Sequence, residues 1–273
     1  MIRNPAGAAG HLSSSAECGT GGIAVVLPAF NEEKNLPGLF VRIQAAMTGA
    51  GLEYGIVLVD DGSTDGTRLV AEDWAARIPI RIYRHARNQG LGAALRDGLN
   101  AACDGPWSIV VTMDADETHG PELIPAMVRL MAQGKDVVIA SRYEPGARVE
   151  GLSAFRRLLS ALASLLFRTL FPTAGVRDYT CGFRAYRAEA LQTAMKACGG
   201  DLVTEQGFQC MAGILLKLRR LGLAFAEVPM VLRYDLKQSA SKIKIVKTAG
   251  ATLGMMARHL APRHRAAGLS YER

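Results

Sequence analysis

The chain has 273 residues, enough for one large α/β domain or one domain with a modest extension. At 49% hydrophobic and 21% charged residues it reads as globular, which excludes a disordered chain. The net charge of +7 favours anionic partners such as nucleotides or anionic lipid, whereas aromatics at 6%, none interleaved with basic clusters, speak against nucleic acid.

Residues 1–21 are rich in Gly, Ala and Ser and read as a disordered tail, not a signal peptide. Residues 23–29 form a short apolar run, consistent with a buried strand. Leu36, Leu39, Phe40, Ile43 and Met47 then recur at helical spacing. Residues 54–59 read as a second strand ending at Asp60 and Asp61. A helix over 69–78, a strand over 81–84, a helix over 91–103 and a strand over 108–113 follow. Pro121 opens a helix over 121–131, and 137–140 read as a strand. This alternation predicts a mostly parallel sheet with helices on both faces, where ligands bind at the carboxyl ends of the strands. Residues 152–171 form an amphipathic helix that either packs on the sheet or lies in a membrane interface. Residues 243–260 form a second amphipathic candidate before a polar tail. No run reaches about 18 uncharged apolar residues, so no membrane span is expected. The five cysteines, Cys18, Cys103, Cys181, Cys198 and Cys210, are scattered without metal-binding spacing, and a reducing compartment fits them.

Three acidic motifs stand at predicted strand ends: Asn31-Glu32 after the first strand, Asp60-Asp61 after the second and Asp114-Ala115-Asp116 after a later one. Asp114-Ala115-Asp116 follows the run 109–113, and two carboxylates at that spacing can both reach one hard cation, Mg²⁺ or Mn²⁺. Such an ion neutralises a departing diphosphate. In residues 59–67, Ser63, Thr64 and Asp65 suit a turn and helix cap, while Asp60 and Asp61 can accept hydrogen bonds from a base or ribose. Gly90 and Gly92 permit close backbone approach before a helix, for a ligand or for helix packing.

Taken together, Pro28-Ala29-Phe30-Asn31-Glu32, the run from Asp60 to Thr67, Asn88 with Gly90 and Gly92, and Asp114-Ala115-Asp116 resemble the family 2 glycosyltransferases of GT-A fold. Ser141-Arg142-Tyr143, Asp178 with Cys181-Gly182-Phe183-Arg184, Glu227-Val228-Pro229 and Ser241-Lys242 resemble the dolichol-phosphate mannose synthase branch, which transfers sugars to polyprenyl phosphates. The resemblance spans about residues 23–242. It implies a GT-A domain over 22–242 and a C-terminal helix and tail over 243–273. It implies that Pro28, Phe30, Glu32, Val59 and Asp61 line the nucleotide of a GDP- or UDP-sugar, with Phe30 where relatives carry Tyr. It implies Asp114 and Asp116 as metal ligands, Ala115 against the donor, Asp178 near the sugar, and Arg142, Lys237 and Lys242 as phosphate-neutralising cations. The implied place is the cytoplasmic face of a membrane, by peripheral contact or through a membrane-protein partner.

Three positions depart from the family pattern. Thr118 replaces Gln or Ser near the metal. No glutamate stands at 211–213, and Glu205 is the nearest acid. Arg233 and Lys237 replace an arginine expected before Ser241. Two acceptors remain open. A lipid phosphate is already an anion and needs cations to hold it, a task for Arg142, Lys237 and Lys242. A hydroxyl, of a polysaccharide or a small molecule, needs a carboxylate base, for which Asp178 is the candidate. A non-catalytic nucleotide-sugar-binding protein is the third alternative.

Overall fold

The computed structural model of the protein describes residues 21–236 and 245–260. These form nine strands and eight α-helices: β1 (Gly22–Ala29), α1 (Leu36–Gly49), β2 (Tyr54–Asp60), α2 (Thr67–Ala75), β3 (Ile80–Arg84), α3 (Leu91–Cys103), β4 (Trp107–Thr112), α4 (Ile124–Ala132), β5 (Val137–Ser141), β6 (Arg148–Glu150), α5 (Ala154–Leu170), β7 (Arg184–Arg187), α6 (Ala188–Ala197), α7 (Cys210–Arg219), β8 (Phe225–Pro229), β9 (Val231–Arg233) and α8 (Ile245–Leu260). Seven strands make one sheet in the order β3-β2-β1-β4-β7-β5-β8, and β6 and β9 pair separately. All neighbours in the large sheet run parallel except β7, which is antiparallel to both β4 and β5. The expected mostly parallel α/β sheet is therefore present, with one antiparallel strand inserted.

The centre of the sheet is apolar because it is covered on both faces. Residues 23–27 of β1 are at most 3% exposed, and Leu36, Leu39, Phe40, Ile43 and Met47 of α1 are fully buried against the sheet. On α3, a Cβ at Gly98 would stand 2.5 Å from Val26 Cγ1, so the missing side chain lets this helix sit close on β1.

Two predicted helices end elsewhere for local reasons. The helix expected over 69–78 stops at Ala75, and Arg77 N and Ile78 N both bond to Trp74 O. Ile78 precedes Pro79, whose ring disfavours a helical residue before it. The helix expected over 121–131 begins as a 3₁₀ turn, Pro121–Leu123, and restarts as α4, so Pro125 falls in a first turn where its missing N–H costs nothing.

The amphipathic helix α5 is not a core helix. Only Ser164 and Phe167 among its residues are buried. Phe155, Leu158, Leu162 and Leu165 are 54–67% exposed. Helix α8 turns Met255 and Met256 inward and leaves Leu253 and Leu260 more than half exposed.

Candidate active site

The strand order sets β2, β1 and β4 side by side and parallel, so their carboxyl ends share one edge. The register places Pro28 opposite Val59 and Val26 opposite Thr112. Two further bonds tie the segments beyond the strands: Asp61 N donates to Ala29 O (2.8 Å) and Met113 N to Val26 O (3.2 Å). The three acidic strand ends read from the sequence thus meet at one place.

Of the residues assigned to the nucleotide, Pro28 and Phe30 are half-buried, and Glu32 and Asp61 are 6% and 3% exposed. Glu32 Oε2 accepts from Asn35 Nδ2 (2.6 Å), and its N donates to Thr67 Oγ1 (2.8 Å). Asn31 N donates to Ser63 Oγ and Thr64 N to Asn31 Oδ1, which stitches the loop after β1 to the loop after β2. Asp61 accepts from Gln89 N and Gly90 N, both at 2.8 Å, and bonds His85. Glu32 and Asp61 therefore build the rim of the edge. Val59 departs from expectation more sharply. It is fully buried, with Cγ2 3.2 Å from where a Gly98 Cβ would lie, so its side chain is a wall behind the edge. The glycine pair also resolves toward packing. Gly92 N donates to Gln206 O (2.9 Å), and a Cβ at Gly92 would collide with Glu205 O.

Asp114, Ala115 and Asp116 follow β4. The Asp114 side chain is 39% exposed, while Ala115 and Asp116 are buried. Asp116 Oδ1 accepts from Thr118 Oγ1 (2.6 Å) and Thr118 N (3.2 Å), so Thr118 acts by fixing Asp116. His119 stacks on Phe183, with ring centroids 5.4 Å apart, and its Nδ1 accepts from Asp114 N at 3.1 Å. This orients the loop and turns Nε2 toward Asp114 Oδ2, 3.9 Å away. Among the described residues no group of three or more His, Cys, Asp and Glu side chains is set to hold one cation. Two hard carboxylates on one short loop fit an ion that takes its other ligands from phosphate and water, as Mg²⁺ and Mn²⁺ do.

Asp178 requires a correction. It is fully buried and accepts five hydrogen bonds: from Arg142 N, Nε and Nη2, Thr180 N and Cys181 N. Burial works to raise its pKa. The Arg142 charge and the hydrogen bonds outweigh that and hold the carboxyl below its usual range. A carboxylate so saturated has no oxygen for a substrate proton. Its work is to aim Arg142, whose Nη2 also reaches Thr180 Oγ1 (2.6 Å). Burial pushes the neighbouring Cys181 thiol up to about 12, which keeps it an un-ionised packing group.

A cavity of about 470 Å³ joins this chemistry to an apolar corridor. Asp114, Asp116, His119 and Arg142 line it together with Leu159, Leu162 and Leu166 of α5 and Leu253 and Met256 of α8. Arg156 and Ser160 of α5 line it as well. Neither was among the site residues expected from the sequence. Their one signal was a polar residue and its i+4 neighbour on the otherwise apolar face of a helix.

The missing helix glutamate has a spatial counterpart. Glu205, 7% exposed, places Oε2 2.4 Å from where a Cβ at Gly213 would lie. Its carboxylate thus fills the space that the glycine vacates on α7, with Arg258 Nη2 of α8 3.6 Å from Oε1. Arg233, a proposed substitute cation, instead pairs with Asp235 and Glu150. Lys237 and Lys242 lie outside the described residues, as does most of the tail expected over 1–21.

The family model described as glycosyl transferase family 2 matches residues 24–203. A dolichol-phosphate mannosyltransferase of Pyrococcus furiosus is 34% identical over 71% of this chain and 52% of its own, so the chain spans about half of that relative. A polyprenol monophosphomannose synthase of Mycolicibacterium smegmatis is 33% identical over 76% of this chain and 75% of its own. An undecaprenyl-phosphate mannosyltransferase of Micrococcus luteus is 30% identical over 76% and 82%. Among solved structures, glucosyl-3-phosphoglycerate synthase of Mycobacterium tuberculosis, crystallised with Mn²⁺, UDP-glucose and phosphoglyceric acid, superposes with a TM-score of 0.64 at 22% identity, covering 98% of this chain and 89% of its own. That likeness gives the fold, a GT-A sheet with flanking helices.

Proposed function

The chain belongs to glycosyl transferase family 2, and for a member built this way we propose transfer of a sugar from a GDP- or UDP-sugar to a polyprenyl phosphate at a membrane surface. The observation that carries this reading is the cavity that runs from Asp114 and Asp116 into an apolar corridor between α5 and α8. A hydroxyl acceptor would need a general base. Among the described residues the carboxylates lining the cavity are the two aspartates suited to the metal, and Asp178 is closed off by its ion pair. A phosphate oxygen is already anionic near neutral pH and needs positioning instead. The names of the relatives point to the same acceptor class.

In this account the donor nucleotide lies along the edge of β1 and β2. Asp114 and Asp116 would hold Mg²⁺ or Mn²⁺, which supplies charge stabilisation to the leaving diphosphate. Arg142, fixed by Asp178, and Arg156 hold the acceptor phosphate, with Ser160 beside them. The polyprenyl chain lies in the corridor, where apolar side chains replace water. Attack on the anomeric carbon from the face opposite the diphosphate inverts its configuration.

Among the described residues no helix is long and apolar enough to cross a membrane. The exposed leucines of α5, flanked by Arg157 and Arg168, suit a helix lying in the interface of an anionic bilayer. The double variant Leu158→Asp/Leu165→Asp removes two exposed contacts that do not line the cavity. It is expected to lower binding to anionic vesicles at least ten-fold in a co-sedimentation assay, since each buried leucine contributes about 1.5–3 kcal/mol. Arg156→Gln is expected to raise the KM for polyprenyl phosphate about ten-fold, with the donor KM unchanged, as the loss of one charged contact to phosphate implies. The reading itself is tested by incubating the protein with UDP- and GDP-sugars, Mg²⁺ or Mn²⁺ and a polyprenyl phosphate. Formation of a lipid-linked sugar supports it; lipid-independent turnover, or none with any donor, overturns it.

A further inference from the structure

His85, just after β3, is 7% exposed and bridges two carboxylates. Its Nδ1 lies 2.6 Å from Asp61 Oδ1 and its Nε2 2.9 Å from Asp97 Oδ2 of α3. An ionised carboxylate only accepts hydrogen bonds, so both contacts are satisfied at once only when both ring nitrogens carry protons. A neutral ring would turn a lone pair onto one of the two oxygens.

The surroundings are unequal. Asp97 also has Arg96 Nε at 3.1 Å. Asp60, buried beside this cluster, has Arg84 Nε at 3.9 Å. Asp61 is paired with His85 alone among the cations of the described residues. It also holds Gln89 N and Gly90 N, so both ends of the segment 85–90 bond the same carboxylate. Burial works to lower the His85 pKa, but the hydrogen bonds and negative charges of Asp61 and Asp97 outweigh it and hold it above its ordinary value.

We propose that His85, donating from both ring nitrogens, is the positioning residue that orients Asp61 and the 85–90 segment against the nucleoside end of the donor. The inference rests on the sugar-nucleotide reading above. It makes donor affinity, and not the transfer step, depend on the His85 proton. Deprotonation turns a ring lone pair onto Asp61 or Asp97 and takes away the charge paired with Asp61, which loosens the hold on Asp61 and on the amides of Gln89 and Gly90 bound to it.

The test is calorimetric titration of the whole chain with Mg²⁺ and either UDP-glucose or GDP-mannose, whose diphosphates carry no group titrating between about pH 6 and 9. The protonation of His85 is followed by ring ¹⁵N NMR over the same range, with His85→Gln identifying its signals. Both ring nitrogens are expected to be protonated at about pH 7. The Kd of the better donor is expected to be flat below the His85 midpoint and to rise about ten-fold above it, the scale of one charged hydrogen bond. Asp97→Asn, which takes away one of the two charges, is expected to move both midpoints to lower pH together. His85→Gln is expected to raise the donor KM with kcat within about two-fold, and to abolish the pH step. A neutral ring at pH 7, or a Kd that stays flat through the His85 midpoint of the wild-type protein, would overturn the inference whether or not the glutamine variant folds. Failure of the wild-type protein to bind either donor at any pH would instead bring down the sugar-nucleotide reading, and the inference with it.

Discussion

Asp116→Ala is expected to reduce sugar-nucleotide turnover about a thousand-fold, the scale seen when a main source of leaving-group stabilisation is removed. Asp116 sits two residues past Asp114 at the carboxyl end of β4, in the cavity, and is held in one orientation by Thr118. Among the described residues no third acidic, His or Cys side chain joins the pair to form a larger cation site, so neither carboxylate has a substitute. The fold should survive the change. The substitution removes two turn bonds worth about 1 kcal/mol each and relieves repulsion between two neighbouring carboxylates, while the β1–β4 pairing beneath is untouched. Steady-state release of nucleoside diphosphate, read beside a thermal melt, checks both halves. Activity within ten-fold of wild type would show that the pair does not hold the ion.

The second large effect is on stability. Asp178→Ala leaves the Arg142 guanidinium, 16% exposed at the cavity wall, without its fully buried bidentate partner and orphans the N–H groups of Arg142, Thr180 and Cys181. Removing one member of a buried pair costs about 3–5 kcal/mol, or about 10 °C in Tm for a domain of this size. The pH dependence follows from the direction of the shift. The folded carboxyl is held below its ordinary value, so the pair contributes fully above the unfolded pKa. That contribution fades as pH falls through the folded one. A chemical-denaturation series at neutral pH measures the loss. If Asp178 were a general base, Asp178→Asn would instead keep the melting temperature and lose only the chemical step.

The two residues also show what could be read from the chain alone. Asp114 and Asp116 follow an apolar run, and a strand end is a local feature. The same holds for Asp61 after β2, and for the alternation that fixed the parallel sheet. Asp178 belongs to a motif, but its meaning depends on Arg142, 36 residues earlier, and only the sheet brings the two together. For a hydroxyl acceptor the chain alone left Asp178 as the candidate base, where the fold makes it half of an ion pair. Strand β7 was missed as an antiparallel insertion because four residues between two parallel neighbours carry no period of their own. Arg156 and Ser160 were hidden in an amphipathic helix whose apolar face looks the same whether it meets a sheet, a bilayer or a ligand. Glu205 over Gly213 is a substitution in space between positions eight residues apart, which spacing does not reveal.

The proposed chemistry turns on an acceptor that needs no base, and a matched pair of acceptors separates it from its rival. With donor, metal and vesicles held constant, polyprenyl phosphate is compared with the polyprenol of the same chain length. In the proposed mode both would fill the corridor, and only one would bring an anion to Arg142 and Arg156. Sugar transfer to the phosphate with none detectable to the alcohol is the outcome predicted. Comparable transfer to the alcohol would mean that a general base operates in this cavity, and would contradict the account.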